Sequence, residues 1–281
     1  MPCEKGKVMR VLCLGTGYVA QHLARALPGA EIFGTTRDAA KHAELRALGI
    51  TPLSPEDLVF EGFTHILVSA GPGAGGDPFL TRYAQALPTA APVWVGYLSA
   101  TSVYGDHQGA WVDEETPPAP TGPRGAQRLA AEQAWAATGL PLHIFRLAGI
   151  YGPGRSPQDR LRAGDARRIV KPGQYFSRIH VDDIVQVLLA SMRAPAPGLV
   201  INVADDDPAP PQDVITFAAG LLGVAPPPEE DFETAQMSPM ARSFYDDNKR
   251  VTNARMKARL ALRLRHTDYR EGLRALLAEG H

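Results

Sequence analysis

The stretch Gly15-Thr-Gly17-Tyr-Val-Ala20 follows an apolar run at residues 8–14 that is typical of a buried strand. Apolar residues at helical spacing follow it directly, over residues 19–27. A glycine-rich turn in this context lets a pyrophosphate approach the backbone, and the first N–H groups of the helix bind the anion. The stretch therefore predicts a dinucleotide-binding βα unit. A plain strand-to-helix turn, with glycines that serve only the geometry, is the alternative.

Apolar runs and helical patterns alternate beyond this unit. The alternation predicts a doubly wound, Rossmann-type α/β fold with a mostly parallel sheet and a small C-terminal α/β substrate lobe. We expect residues 8–170 to form mainly the cofactor domain and residues 171–281 mainly the lobe, with part of 179–205 returning to the sheet. Strands are predicted at 8–14, 31–34, 51–53, 65–70, 93–99, 142–148 and 199–203, and helices at 19–27, 39–48, 78–87, 127–138 and 213–222.

The charge and the cysteine content argue against several classes of protein. The 281 residues carry a formal net charge of -1, which gives no support for nucleic-acid or membrane-surface binding. Cys3 and Cys13 are too few for a disulfide framework or a cysteine metal site, so we expect a reducing, cytoplasmic setting and no metal. Neither a signal-peptide pattern nor a membrane-spanning apolar window is apparent, which favours the same setting.

The residues after the second predicted strand indicate which cofactor is bound. The sequence there is Thr35-Thr36-Arg37, where an NAD-binding protein would show an acidic residue for the ribose hydroxyls. An arginine at this place accommodates a 2′-phosphate instead. Arg37 therefore favours NADP, with NAD still possible. A solvated arginine at a helix start is the alternative.

Three later segments carry a family resemblance. They are Leu98-Ser-Ala-Thr-Ser-Val-Tyr-Gly-Asp106, Phe145-Arg-Leu-Ala-Gly-Ile-Tyr-Gly-Pro-Gly-Arg155 and Ile179-His-Val-Asp-Asp-Ile184. With the glycine-rich turn, their order resembles the extended and atypical short-chain dehydrogenases/reductases, the NAD-dependent epimerase/dehydratase group. The resemblance implies a nucleotide-sugar substrate and a cofactor site made of Gly15, Gly17, Tyr18, Val19, Ala20, Thr36, Arg37, Ala70, Gly71, Ser99 and Arg128.

The chain departs from that family at its catalytic positions. The family's catalytic Ser or Thr falls on Ala100, and its Tyr-x-x-x-Lys falls on Arg124 and Arg128. The family's substrate-contacting Asn falls on Gly149. Arginine stays protonated at working pH, so Arg124 cannot act as the general acid or base. Arg128 can still bind ribose hydroxyls and hold positive charge near the nicotinamide.

The remaining proton donors are hydroxyls and one imidazole. The catalytic candidates are Thr101, Ser102, Tyr104, Arg124 and Arg128. Tyr104 belongs to a Tyr-Gly pair that mostly packs in the core, so a structural role is the stronger interpretation for it. His180 has a suitable intrinsic pKa, but its place before Val-Asp-Asp suggests a structural hydrogen bond.

Arginines at the presumed cleft indicate the substrate. Arg124, Arg128, Arg155 and Arg178 could bind phosphate or carboxylate in bidentate fashion, which favours a nucleotide-sugar diphosphate or another acidic metabolite. We expect Arg155, Arg178 and His180 to contact the substrate. Ordinary solvated arginines are the alternative, most of all for Arg155.

We therefore expect an NAD(P)-dependent oxidoreductase or epimerase-like enzyme with an unusual proton path, with a homodimer possible. A catalytically silent NADP(H)-binding sensor or scaffold is the second hypothesis, because the three catalytic positions are changed. A third rests on residues 249–265, which carry seven Lys/Arg and no acid, a pattern for an anion-binding or nucleic-acid-binding helix. No aromatic residue is interleaved there, and a solvated helix face is the favoured interpretation.

Overall fold

The structure is a computed structural model that describes residues 8–281, so Cys3 lies outside the described residues. The strands are β1 Arg10–Leu14, β2 Glu31–Thr35, β3 Ile50–Leu53, β4 His65–Val68, β5 Trp94–Ala100, β6 Trp111–Val112, β7 Leu142–Leu147, β8 Gly149–Tyr151, β9 Arg168–Val170, β10 Arg178–His180, β11 Leu199–Val203, β12 Glu229–Asp231 and β13 Arg250–Val251. The helices are α1 Tyr18–Arg25, α2 His42–Ala47, α3 Pro78–Tyr83, α4 Pro123–Ala136, α5 Pro157–Arg162, α6 Val181–Arg193, α7 Pro211–Leu222, α8 Pro239–Ser243, α9 Ala254–Leu260 and α10 Tyr269–Ala278.

A seven-stranded sheet in the order β11-β7-β5-β4-β1-β2-β3 confirms the predicted Rossmann-type fold. β1 pairs in parallel with β2 on one side and with β4 on the other, so the strand order reverses beside β1. In open α/β sheets, ligands bind at the carboxyl ends of the strands next to such a reversal. The carboxyl end of β1 carries the glycine-rich turn, which therefore lies where this fold places a cofactor.

The chain forms two compact units that do not follow a single division along the sequence. The first comprises the described residues through Ser99 together with Gln127–Phe145 and Leu188–Val200. Its core includes Leu12, Ile66, Val95, Tyr97 and Trp135. The second comprises Ala100–Ala126, Arg146–Val187 and Ile201–His281, with Tyr151, Val214, Tyr269 and Leu273 in one hydrophobic cluster.

Several helix boundaries differ from the sequence expectations for physical reasons. α4 begins at Pro123, before the predicted 127, because a proline at the first helical position loses no hydrogen bond and is pre-set in φ. The basic segment 249–265 contains only one short helix, α9, whose C-cap residue Ala261 is in the left-handed conformation, with φ of 48°. Among residues 8–281, none of the helices has the length and apolarity that crossing a bilayer requires.

Candidate functional site

The glycine-rich turn leaves space at the start of α1. Gly17 is the N-cap residue of α1, and a Cβ added to it would meet only Ser69 Oγ, at 3.6 Å. Gly15 has φ of +96°, and a Cβ there would lie 2.9 Å from the backbone nitrogen of Ala70. Gly15 is therefore needed for the fold of the turn, whereas Gly17 keeps the approach to the helix N-terminus open. This is the geometry that a pyrophosphate requires.

The rest of the predicted turn packs as a cofactor loop would require. Val19 and Ala20 are buried, and the Tyr18 ring packs on His22 with ring centroids 4.6 Å apart and an interplanar angle of 56°. The Gly15 N–H donates to Thr35 Oγ1 at 2.7 Å, which ties the turn to the end of β2. Thr35 is not among the site residues predicted from the sequence, although a hydroxyl residue at a strand end beside the turn is a usable signal.

Arg37 lies just beyond the end of β2 with its side chain in solvent. It is exposed, and among residues 8–281 it makes no hydrogen bond or ion pair. Thr36 donates its N–H to the Leu53 carbonyl at 3.0 Å, and Asp38 Oδ1 accepts the N–H of Ala40. The carboxylate beside Arg37 therefore caps a local turn, and the guanidinium remains available to an anion.

Arg128 lies beside the ends of β4 and β5. Its Nη1 donates to the Leu98 carbonyl at 2.8 Å, and a Cβ on Gly71 would lie 3.0 Å from its Nη2. The guanidinium also lies over the ring of Tyr97, 5.9 Å from its centroid. Burial raises the pKa of Tyr97 to about 12, against the opposing effect of the Arg128 charge. Ser99 Oγ donates to a carboxylate, Glu132 Oε1. The first unit thus brings together Gly71, Ser99 and Arg128 of the predicted cofactor set.

The second unit contains the three hydroxyl candidates, Thr101, Ser102 and Tyr104, which differ in burial and in hydrogen-bond partners. Thr101 and Ser102 are half-buried, and their hydroxyls have no partner among the described residues. Tyr104 is fully buried; its hydroxyl donates to Asn202 Oδ1 at 2.7 Å and accepts from Arg146 Nη1 at 3.0 Å. Burial raises the pKa of Tyr104, and the Arg146 charge opposes this. These contacts favour the structural interpretation of Tyr104.

Arg124 is exposed near the start of α4, in the same unit as Thr101 and Ser102. Its Cζ lies 5.1 Å from the ring centroid of Phe244, a residue not predicted from the sequence. Its neighbour Gly125 packs on the hydroxyl segment, Thr101 and Ser102, since a Cβ on Gly125 would lie 2.5 Å from the Ser102 carbonyl oxygen. Helix α4 therefore presents Arg124 next to the segment that carries Ser102.

The three predicted substrate contacts have partners within the second unit. Arg178 Nη1 donates to the carbonyls of Phe176 and Ala209, at 2.8 and 3.1 Å. Arg155 is exposed and follows the Gly152 turn, but it is not free of contacts. His180 is buried, and its Nδ1 accepts the N–H of Asp182 at the start of α6.

One group of side chains has metal-ligand chemistry. The candidate ligand atoms of His180, Asp182 and His266 lie within 4.8 Å of one another. However, His180 Nδ1 already accepts a backbone N–H, so its lone pair would have to leave that bond before it could bind an ion. The geometry fits a capped helix start better than a metal centre.

Comparisons with known proteins bear on the family and the fold. Residues 80–204 match the profile of the NAD dependent epimerase/dehydratase family. Protein YeeZ of Escherichia coli K12 is 28% identical over 242 residues, 78% of this chain and 85% of that protein. A 3-diazoavenalumate denitrifying reductase from Streptomyces is 29% identical over 153 residues, 50% of this chain and 49% of that protein.

Solved structures share the fold over nearly the whole chain. A functionally unknown conserved protein from Silicibacter pomeroyi has a TM-score of 0.94 and 53% identity, covering 97% of this chain and 99% of that one. A candidate NAD-dependent epimerase/dehydratase from Methylobacillus flagellatus has a TM-score of 0.71 and 25% identity, covering 98% and 99%. More distant structures, such as a human epimerase family protein with NADPH (TM-score 0.76, 18% identity, 96% and 99%), share the fold.

Proposed function

We propose that this chain, whose residues 80–204 match the NAD dependent epimerase/dehydratase family, is an NADP(H)-dependent oxidoreductase or epimerase-like enzyme for an anionic small molecule. The observation that carries this proposal is the space kept open over Gly17 at the start of α1, which a Cβ would begin to fill. The cofactor supplies or accepts a hydride when bound. The chain's own residues hold it, orient the substrate and provide any proton.

The preference for NADP rests on Arg37. Its guanidinium is exposed and has no partner in residues 8–281, and it follows β2, the strand whose end reads the adenosine ribose in this fold. A free guanidinium can bind a 2′-phosphate through charge-assisted hydrogen bonds. NAD lacks that phosphate, so it would bind without this contact.

The proton path would use the hydroxyl segment rather than the family's tyrosine. Thr101 and Ser102 keep half-buried hydroxyls without partners among the described residues. Tyr104, in contrast, is enclosed by Arg146 and Asn202. We propose Ser102 as the first candidate because its backbone packs against Gly125, next to Arg124. A substrate group would complete the relay, since a serine needs a neighbouring base to exchange protons efficiently.

The second candidate is a catalytically silent NADP(H) sensor or scaffold. The observation that favours it is that the three family positions hold Ala100, Arg124 and Arg128, none of which can donate and accept a proton near neutral pH. A protein that binds the cofactor through the same turn but performs no chemistry would need no relay.

Calorimetric titration of NADPH and NADH, followed by turnover assays on carbonyl compounds and nucleotide sugars, tests the proposal. We expect NADPH to bind tighter than NADH by about one to two orders of magnitude, the scale of a hydrogen bond to a charged group. Arg37→Ala should remove that preference, whereas Arg25→Ala, at the far end of α1, should keep it. Equal affinities in the wild type would contradict the NADP assignment. Tight binding without any turnover would favour the sensor.

A further inference from the structure

The four arginines predicted at the cleft differ in what their guanidinium groups already contact. Arg128 donates to the Leu98 carbonyl, and Arg178 donates to the carbonyls of Phe176 and Ala209. Arg155 also has contacts of its own. Of these four, Arg124 alone makes neither a hydrogen bond nor an ion pair within residues 8–281, and its guanidinium lies over the ring of Phe244.

No ion pair joins Arg124 to an acid among the described residues. Asp247, three residues after Phe244, has both carboxylate oxygens engaged, by the hydroxyl of Thr121 and by Lys249 Nζ. Lys249 Nζ in turn donates to the Gly105 carbonyl at 2.8 Å. An arginine fork open to solvent binds a carboxylate or phosphate in bidentate fashion.

An apolar surface lies beside this fork. Phe244 is 54% exposed and Met240 is 65% exposed, although both are large apolar side chains. They are four residues apart at α8 and its C-cap, so they share one helix face. Arg124 stacked on Phe244 therefore combines one free positive charge with an apolar face of exposed ring and thioether.

We propose that Arg124, Phe244 and Met240 form a recognition site for a planar monocarboxylate, an aryl or conjugated carboxylic acid. The carboxylate pairs with the guanidinium, and the flat apolar part lies along Phe244 and Met240. This inference rests on the proposed function, because it names the substrate class of that enzyme.

The charge balance favours a monocarboxylate over a diphosphate. Arg124 offers one open cation. The other cations of the same segment, Arg242 and Lys249, donate to backbone carbonyls, Arg242 to those of Phe232 and Ala235. A nucleotide diphosphate carries two charges and would leave one of them without a partner here. An aromatic carboxylate matches both the single charge and the exposed apolar face.

The test is calorimetric titration of the full chain, with and without saturating NADPH, using 4-hydroxycinnamate, its neutral amide and UDP-glucose as probes. We expect the acid to bind at least tenfold tighter than the amide. Arg124→Gln should abolish this difference, and Phe244→Leu should weaken the acid severalfold. Arg274→Gln is the matched control, since Arg274 stacks on Phe217 with Cζ 5.2 Å from the ring centroid.

Equal binding of acid and amide, or an acid affinity unchanged in Arg124→Gln, would overturn the site. Tighter binding of UDP-glucose than of the acid, lost in Arg124→Gln, would overturn the monocarboxylate assignment. Circular dichroism of each variant establishes that it is folded. The NADPH titration of the same samples is independent, so failure to bind the cofactor contradicts the proposed function, while acid binding to the cofactor-free protein still tests this site.

Discussion

The hydroxyl of Ser99 donates a hydrogen bond of 2.5 Å to Glu132 Oε1, and both residues are almost fully buried, at 2% and 4% exposure. Ser99 lies in β5 and Glu132 in α4, so the bond joins the strand to the helix that carries Arg128. A buried carboxylate is costly to desolvate unless it is hydrogen-bonded. The pair therefore fixes the register of α4 against the sheet of the first unit.

We expect Ser99→Ala to lower the free energy of unfolding by about 1.5–3 kcal/mol, the range for a hydrogen bond to a charged group. Ser102→Ala is the matched control, because the Ser102 hydroxyl has no partner among the described residues, and we expect a change below about 0.5 kcal/mol. Urea unfolding of both variants measures this. Equal losses of unfolding free energy in the two variants would contradict a stabilising role of the Ser99–Glu132 hydrogen bond.

The two glycines of the turn should respond in opposite ways. Gly17→Val should abolish NADP(H) binding while the melting temperature changes little, because a side chain fits the space that the cofactor needs. Gly15→Ala should instead destabilise the fold, since its φ is +96° and its Cβ would meet the Ala70 backbone at 2.9 Å. Calorimetry and thermal melting of both variants test this. Near-normal binding by Gly17→Val would place the cofactor elsewhere.

Substitutions of Arg128 and Arg124 should have different effects on NADPH affinity, because we assign Arg128 to the cofactor and Arg124 to the substrate. Arg128→Met removes a charge beside Gly71 and the end of β5, so we expect NADPH affinity to fall by about tenfold, with turnover falling alongside it. Arg124→Met, which alters an exposed residue of the second unit, should leave NADPH affinity unchanged. Fluorescence titration with NADPH compares them. An equal loss of NADPH affinity in both variants would contradict the assignment of Arg128 to the cofactor site.

His65 should make stability depend on pH in mildly acidic solution. Burial lowers its pKa to about 4, against 6.5 when exposed. Between these values the unfolded chain binds more protons than the folded one. Stability is therefore retained above about pH 6.5 and declines as the pH falls toward 4, by at most about 1.4 kcal/mol per pH unit from this group.

The measurement is urea unfolding of the wild type and His65→Asn from pH 7 to pH 4.5. The variant should lose less stability on acidification than the wild type, whatever its stability at pH 7. His42→Asn is the control, because His42 is only half-buried at the start of α2, and it should follow the wild type. Parallel curves for wild type and His65→Asn would contradict the prediction.

Local patterns in the sequence are sufficient to predict the α/β order and the glycine-rich turn, because hydrophobic periodicity and the glycines of a turn depend only on residues close together in the chain. Whether each arginine is hydrogen-bonded or open to a ligand could not be predicted in this way. Arg128 and Arg178 contact carbonyls such as those of Leu98 and Ala209, which only the folded chain brings to them. Phe244 carries no motif at all, and its contact with Arg124 joins residues far apart in the chain.

Because Cys13 lies in the interior, the rate at which its thiol is chemically labelled can report the opening of β1. Cys13 is 1% exposed, and burial raises the pKa of its thiol to about 12, so it is both shielded and protonated. A thiol reagent can modify it only when β1 separates from its neighbours. In a Cys3→Ser background, the labelling rate at Cys13 would therefore report how often the central strand opens, two residues before the turn at Gly15. A cofactor held by that turn should slow the labelling in proportion to its occupancy.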